Sequence, residues 1–479
     1  RFVTRALATA ALSSRPWVTA RALSIGTVAA SRHSTVGMSE FSHPLPGGIL
    51  VKEHELSVPL DHEDPSGECL TLFVREVVKA EKQSDKLPYL LFLQGGPGFP
   101  APRVSAPPSG WMKSALEKHR VLLLDQRGTG RSTPATPQHI TAMGDPARQA
   151  EYLALFRADA IVKDCELVRS VVAGGEKLSL LGQSYGGFCI LSYLSFFPAS
   201  IERALFTCGL APVGQPIDDV YRATFRRMEQ RNARFYRRYP GDIELVRSLA
   251  RTLDAAPADL PRGGRLTARR FLQLGLLLGS ESGLETLHDL LELARAPGAP
   301  DNALPELFLV GVENAQAAFE TNPIYWLLHE SIYCDGAGSA SGWAAERVQA
   351  SLGPAWDYRT RLAEGDPPIF LTGEMVYSWM GEDYAGLRAL KPAAELLARK
   401  ADWPELYRPS ELGTGEARCA ALMSYDDIYV ERQYSEATAG MLRWCRTWVS
   451  NEFQHSGLRD QGARVFEKLL AMAKGEVEY

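Results

Sequence analysis

The chain has 479 residues, 45% of them hydrophobic, with a formal net charge of −5. That composition supplies a sizeable core and excludes global disorder, and the acidic balance argues against a dedicated nucleic-acid binder. No apolar run reaches the roughly 20 residues of a membrane-crossing helix, and the length suits one large domain with an insertion, or two to three domains.

Residues 1–39 carry Arg1, Arg5, Arg15, Arg21 and Arg32, no lysine, and no acid before Glu40. Arg-rich, Ser-rich and acid-free is the composition of a mitochondrial or plastid transit peptide. The alternative is a cytoplasmic protein whose translation starts at Met38. From residue 49 the pattern is strand-like: Ile49–Leu60 and Leu70–Val78 flank a turn-forming Asp-His-Glu-Asp-Pro-Ser-Gly stretch. Tyr89–Leu93 and Val121–Leu124 are almost wholly apolar, as suits central strands covered on both faces. A helical period over 159–173, a third buried strand at Leu178–Leu181, a helix over Phe188–Phe197 and a fourth strand at Leu205–Cys208 follow. Strand–helix–strand alternation predicts an α/β parallel sheet. Between about 213 and 409 helical stretches dominate. Asp218–Tyr239 holds seven arginines against three acids, and reads as a solvated amphipathic helix. Strand pattern returns at Cys419–Tyr425, and Val465–Ala473 closes the chain as a helix. The expected division is 1–39 as an extension, 40–212 and 410–479 as two parts of one α/β core, and 213–409 as a helical cap. Seven cysteines without a C-x-x-C pair predict reduced thiols rather than a disulfide framework or zinc site.

The strongest chemical signal is Gly182-Gln183-Ser184-Tyr185-Gly186-Gly187. This is G-x-S-x-G between a buried strand and a helix, the context of a nucleophile elbow. The turn presents the Ser184 hydroxyl above the sheet, at a helix N-terminus that favours developing negative charge. A serine nucleophile needs a base, and in such a fold the order is Ser, then acid, then His. Three histidines follow Ser184. His288 and His329 fall in helical stretches and read as ordinary helix residues. His455 lies in the polar loop Asn451–Gly457 before the closing helix, where a loop-borne base belongs. The strand Cys419–Tyr425 ends in Asp426-Asp427, so one of the two is expected to orient the imidazole. An oxyanion hole needs two backbone N–H donors. Tyr185, after the nucleophile, supplies one candidate. The loop Gln94-Gly95-Gly96-Pro97-Gly98 supplies the other through Gly96, with Gly95 close to the substrate. A third loop, Asp125-Gln-Arg-Gly-Thr-Gly-Arg-Ser132, lacks the Gly-Lys-Ser/Thr ending of a nucleotide loop. It is expected to brace the loops beside the site through Asp125 and its arginines.

These three loops together resemble the proline iminopeptidases (prolyl aminopeptidases), serine peptidases of the α/β-hydrolase fold. The segments Tyr425-Asp-Asp-Ile-Tyr-Val430, His455-Ser-Gly-Leu-Arg459, His329-Glu330-Ser331 and Thr372-Gly-Glu-Met375 resemble the longer-chain branch of that family. Shorter members carry His before Gly-Gly-Pro-Gly, where this chain has Gln94. The resemblance implies an α/β-hydrolase fold with a large helical cap inserted before the last strands. It implies release of N-terminal proline from short peptides, with no metal or cofactor and no nucleic-acid or membrane partner. It assigns Ser184 as nucleophile, His455 as base, and Asp427 rather than Asp426 as orienting acid. It also implies cap glutamates that bind the substrate's free amine. Glu374 and Glu330 are the candidates, with Tyr185, Phe188 and Trp379 as candidates to line the prolyl slot. A related hydrolase of other small amides or esters is the alternative, because a triad does not fix the leaving group.

Overall fold

Strands that are apolar on both faces need cover on both sides, and the chain provides it by alternating them with helices. The computed structural model describes residues 41–297, 303–365 and 367–477. Residues 1–39, on which the transit-peptide and Met38 expectations fall, lie outside the described residues. Eleven strands occur among the described residues: β1 (Phe41–Leu45), β2 (Ile49–Pro59), β3 (Cys69–Lys79), β4 (Tyr89–Leu93), β5 (Arg120–Asp125), β6 (Leu178–Gln183), β7 (Ile201–Thr207), β8 (Ala258–Asp259), β9 (Arg265–Leu266), β10 (Arg418–Ser424) and β11 (Cys445–Ser450). Nine form one sheet in the order β1-β2-β3-β5-β4-β6-β7-β10-β11. The β1–β2, β2–β3 and β3–β5 pairs are antiparallel. All pairs from β5–β4 onward are parallel.

The two-residue period of the strands divides the core. On β4, Leu91 and Leu93 face one side, and Leu90 and Phe92 the other. Val465, Phe466, Leu469 and Leu470 of the closing helix Gly462–Lys474 cover the second face. Helices Ala158–Val171 and Tyr185–Phe196 cover the first. Among the described residues between β7 and β10 the elements are helices apart from the ribbon formed by the two-residue strands β8 and β9. The sheet order reverses at β4, which has β5 on one side and β6 on the other. Ligands of open α/β sheets bind in the crevice beyond the strand C-termini at such a point. The Gly-Gly-Pro-Gly loop leaves β4 there and the Ser184 turn leaves β6 there.

β1 and β11 are additions to the sequence reading. β1 holds a proline and only five residues. β11 runs along the sheet edge, half exposed, and lacks the continuous apolar run that marked the central strands. The arginine-rich helix, Ile217–Arg238, is also less solvated than expected. Arg227 pairs with Glu431 at 2.7 Å, and Arg231, buried, donates to Leu278 O at 2.9 Å.

The third loop is held by buried charge. Asp125 accepts from Ala101 N at 3.1 Å, Arg131 N at 3.0 Å and both terminal nitrogens of Arg103. It thereby clasps the loop after β4 to the loop after β5. Arg127, fully buried, donates twice to Asp164, at 2.7 and 2.8 Å, and to the carbonyls of Pro59, Leu60 and Leu155. Burial alone would raise the Asp164 carboxyl; Arg127 and His62 outweigh it and hold the group below the usual carboxylate range. The stability this adds is therefore present above that range and is lost as pH falls. Arg127→Leu leaves Asp164 buried with His62 but without its guanidinium partner. It should lower unfolding stability by about 3–5 kcal/mol at neutral pH, read as a fall in the urea midpoint, with the deficit narrowing on acidification.

Candidate active site

The turn from β6 into helix Tyr185–Phe196 places Ser184 at φ 54° and ψ −126°. A non-glycine residue with positive φ is strained and persists only where its surroundings force it. Here Ser184 N donates to Thr207 O at 3.0 Å, and Gly187 N donates to Ser184 O at 2.7 Å. Tyr185 is the first residue of the helix, so its N–H has no partner within the helix. The loop after β4 comes against this turn. A Cβ on Gly95 would lie 2.9 Å from Ser184 Cβ and 3.5 Å from its hydroxyl oxygen. Gly96 has φ +133°, conformational freedom that side chains rarely allow. Ser184, Tyr185, Gly95 and Gly96 therefore lie at one place, over the switch point.

His455 lies beside them. Gln183, adjacent to Ser184, donates through Nε2 to His455 O at 3.1 Å. The His455 Nδ1 is 2.9 Å from Asp427 Oδ2 and 3.2 Å from Oδ1. Asp427 also accepts from Tyr429 N at 2.9 Å and Val430 N at 3.1 Å, which fixes its carboxylate. Asp426 turns away and pairs with Arg234 at 2.9 Å. A proton on Nδ1, facing the carboxylate, leaves Nε2 with the lone pair. Burial lowers the His455 pKa, but the charges of Asp427 and then Glu374 outweigh it, so the group lies above its ordinary 6.5. The edge of the Tyr429 ring meets the imidazole, with centroids 4.8 Å apart.

Glu374, 9% exposed, belongs to the same constellation. Its charge is felt at His455 and reinforces the burial that raises the hydroxyls of Tyr221, Tyr325, Tyr333 and Tyr429. An aromatic wall runs from the elbow to the β4 loop: Tyr185–Phe188, Phe188–Tyr333, Tyr333–His329, His329–Tyr325 and Tyr325–Phe99, each pair within 6.2 Å. The arrangement is a strained serine, an imidazole gripped by a buried carboxylate, and a second carboxylate among aromatic rings. It suits acyl transfer on a small cation.

Two expected substrate residues have partners of their own. Glu330 is held by backbone N–H groups. Its carboxylate accepts from Ala344 N at 3.0 Å and Ala345 N at 2.9 Å, so both oxygens are engaged at the start of helix Ala344–Ser351. Trp379 stacks on Tyr377 with centroids 5.1 Å apart and carries the Arg269 guanidinium at 4.8 Å, inside the inserted helices. Tyr429 and His329, to which the sequence reading gave no role of their own, stand beside His455 and Glu374. Tyr429 follows Asp427 by two, and the i, i+4 spacing of Tyr325, His329 and Tyr333 was the available signal of a shared face. The one group of possible metal donors among the described residues is Cys208, Asp427 and His455, with donor atoms within 4.8 Å. Burial pushes the Cys208 thiol far up, so it stays protonated, and Asp427 engages the His455 Nδ1. These are hydrogen-bonded side chains rather than a free ligand set.

Fold and site define an α/β hydrolase, and residues 88–278 match the family described as the alpha/beta hydrolase fold. A proline iminopeptidase of Aeromonas sobria is 44% identical over 436 residues, covering 91% of this chain and 99% of its own length. The proline iminopeptidase aneH of Aspergillus aculeatus is 35% identical, covering 92% and 97%. A crystal structure of a proline iminopeptidase from Mycobacterium smegmatis aligns with 88% of this chain and 100% of its own at 13% identity and a TM-score of 0.39. The chain belongs to the proline iminopeptidase family and is, with that family, a serine aminopeptidase. Among the described residues no helix is long and apolar enough to cross a membrane.

The charge balance at His455 has a direct readout. In an NMR titration its imidazole should have a pKa above 6.5, and Asp427→Asn should bring it below 6.5, because burial then dominates. Glu374→Gln should lower it by a smaller step.

Proposed function

We propose that the chain releases N-terminal proline from short peptides through an acyl-enzyme on Ser184. The observation that carries this reading is Glu374, a buried carboxylate within electrostatic reach of His455 in an aromatic enclosure. A free N-terminal proline is a small apolar ring bearing a cation. The carboxylate suits its charge where water is scarce, and the rings suit its methylenes.

In this mechanism the prolyl ammonium pairs with Glu374 and the scissile carbonyl lies between Ser184 and the Gly95-Gly96 loop. His455 Nε2 takes the hydroxyl proton as the Ser184 oxygen bonds the carbonyl carbon. The N–H groups of Gly96 and Tyr185 stabilise the oxyanion. The C–N bond breaks as the imidazolium gives its proton to the leaving nitrogen, and the shortened peptide departs. Water then attacks the ester, giving a proton to Nε2. The carbon–Ser184 bond breaks, the proton returns to the hydroxyl, and proline leaves. Asp427 holds the tautomer and supports the imidazolium in both halves. The helices of 213–409 act as a cap that admits a chain end and excludes folded substrates.

The ammonium also acts on the base. Glu374 raises His455, so neutralising Glu374 by ion pairing should lower it. The acid limb of kcat, which reports the complex, should therefore lie at lower pH than the limb of kcat/KM. Proline arylamide, its N-acetylated form and an alanine arylamide test the whole reading. Free proline arylamide should be cleaved fastest and the acetylated form scarcely at all. Ser184→Ala should lower kcat by on the order of a millionfold, and Glu374→Gln should lower kcat/KM by about 10- to 100-fold. Equal cleavage of the acetylated compound would overturn the assignment.

A further inference from the structure

Resting on that reading of Glu374, we propose that His329 is a positioning residue that sets the orientation of the amine-binding carboxylate. His329 is 1% exposed. Its Nε2 lies 3.7 Å from Glu374 Oε2, and its Nδ1 lies 3.4 Å from Tyr221 Oη. Burial keeps the Tyr221 hydroxyl protonated, and the Glu374 carboxylate facing Nε2 selects the arrangement in which that hydroxyl donates to Nδ1. A donor at Nδ1 puts the imidazole proton on Nε2, toward the carboxylate. Tyr221, His329 and Glu374 thus form a second hydroxyl–imidazole–carboxylate series, built across three segments of the inserted helices and separate from Ser184, His455 and Asp427.

The surroundings fix the imidazole in this role. Tyr325 lies over its ring at 4.7 Å and Tyr333 meets it edge-on at 6.2 Å. Glu330 is another acid near it, and that carboxylate is held by Ala344 N and Ala345 N. Glu374 is therefore the acid whose carboxylate faces Nε2. His329 Nε2 offers Glu374 one contact, at 3.7 Å, which aims the carboxylate. Tyr325 adds a contact on the same residue, donating to Glu374 O at 3.4 Å.

The test is a KM-against-kcat comparison on proline arylamide with His329→Phe, His329→Gln and Tyr221→Phe, each in the wild-type and the Glu374→Gln background. His329→Phe keeps the ring and removes the donor, and should raise KM by about tenfold with a smaller change in kcat. His329→Gln restores an N–H near the Nε2 position and should recover most of the loss. Tyr221→Phe removes one oxygen from the far end, and should raise KM in the same direction by less; it decides the matter if His329→Phe does not fold. In the Glu374→Gln background none of the three should raise KM further. Labelling of Ser184 by a neutral fluorophosphonate, which carries no ammonium, reports the integrity of the elbow. The proposal is overturned if the His329 effect persists undiminished in Glu374→Gln, or if KM stays at wild type in His329→Phe and Tyr221→Phe while Glu374→Gln raises it. If Glu374→Gln itself leaves KM unchanged, the amine-binding reading and this inference fall together.

Discussion

Main-chain crowding around Ser184 determines the geometry of everything else in the site. A Cβ on Gly186 would stand 1.9 Å from Leu93 O, one on Gly187 2.1 Å from Gly209 O, and one on Gly209 2.2 Å from Ser184 O. The end of β4, the elbow and the exit of β7 are thus packed backbone against backbone. A residue at φ 54° carries strain of about 1–3 kcal/mol, and this contact is what sustains it. It also sets the distance from Gly95 to the Ser184 hydroxyl. The braces behind it, Asp125 on the β4 loop and Arg127 on Asp164, keep the second loop from drifting.

The other half of the site is on longer loops and is fastened from both sides. His455 N donates to Gly279 O at 3.1 Å, and Gln183 donates to His455 O. Gly279 has no side chain because the Tyr429 ring occupies that space, with a Cβ there 2.1 Å from the ring. Tyr429 in turn donates to Leu276 O and presents its edge to the imidazole. The inserted helices therefore help to hold His455. The pair Arg227–Glu431, largely buried, ties helix Ile217–Arg238 to the segment after Asp427. The Arg234–Asp426 pair is half exposed and adds under about 1 kcal/mol.

The sheet was legible in the sequence wherever strands are apolar on both faces. Tyr89–Leu93 has the same limits in both readings, and Leu178–Leu181 extends by only two residues to Gln183. Such runs have no competing interpretation, whereas the edge strand Cys445–Ser450, alternating and half exposed, does. The elbow and its glycines were legible because the spacing is local. The choice between Glu374 and Glu330 was not. Both are buried glutamates of the inserted helices, and only the approach of Ala344 and Ala345 from another segment separates them. His329 was obscured for the same reason. Three rings at four-residue spacing read as core, and the carboxylate opposite them is 45 residues further along the chain.

The account stands on covalent attack by Ser184, and the most direct measurement is the site of the acyl group. Enzyme mixed with excess proline arylamide, quenched in acid within one turnover and digested, should yield a peptide with a prolyl ester on Ser184. The Ser184→Ala protein should give none. A prolyl adduct on any other side chain, or rapid turnover by Ser184→Ala, would contradict it.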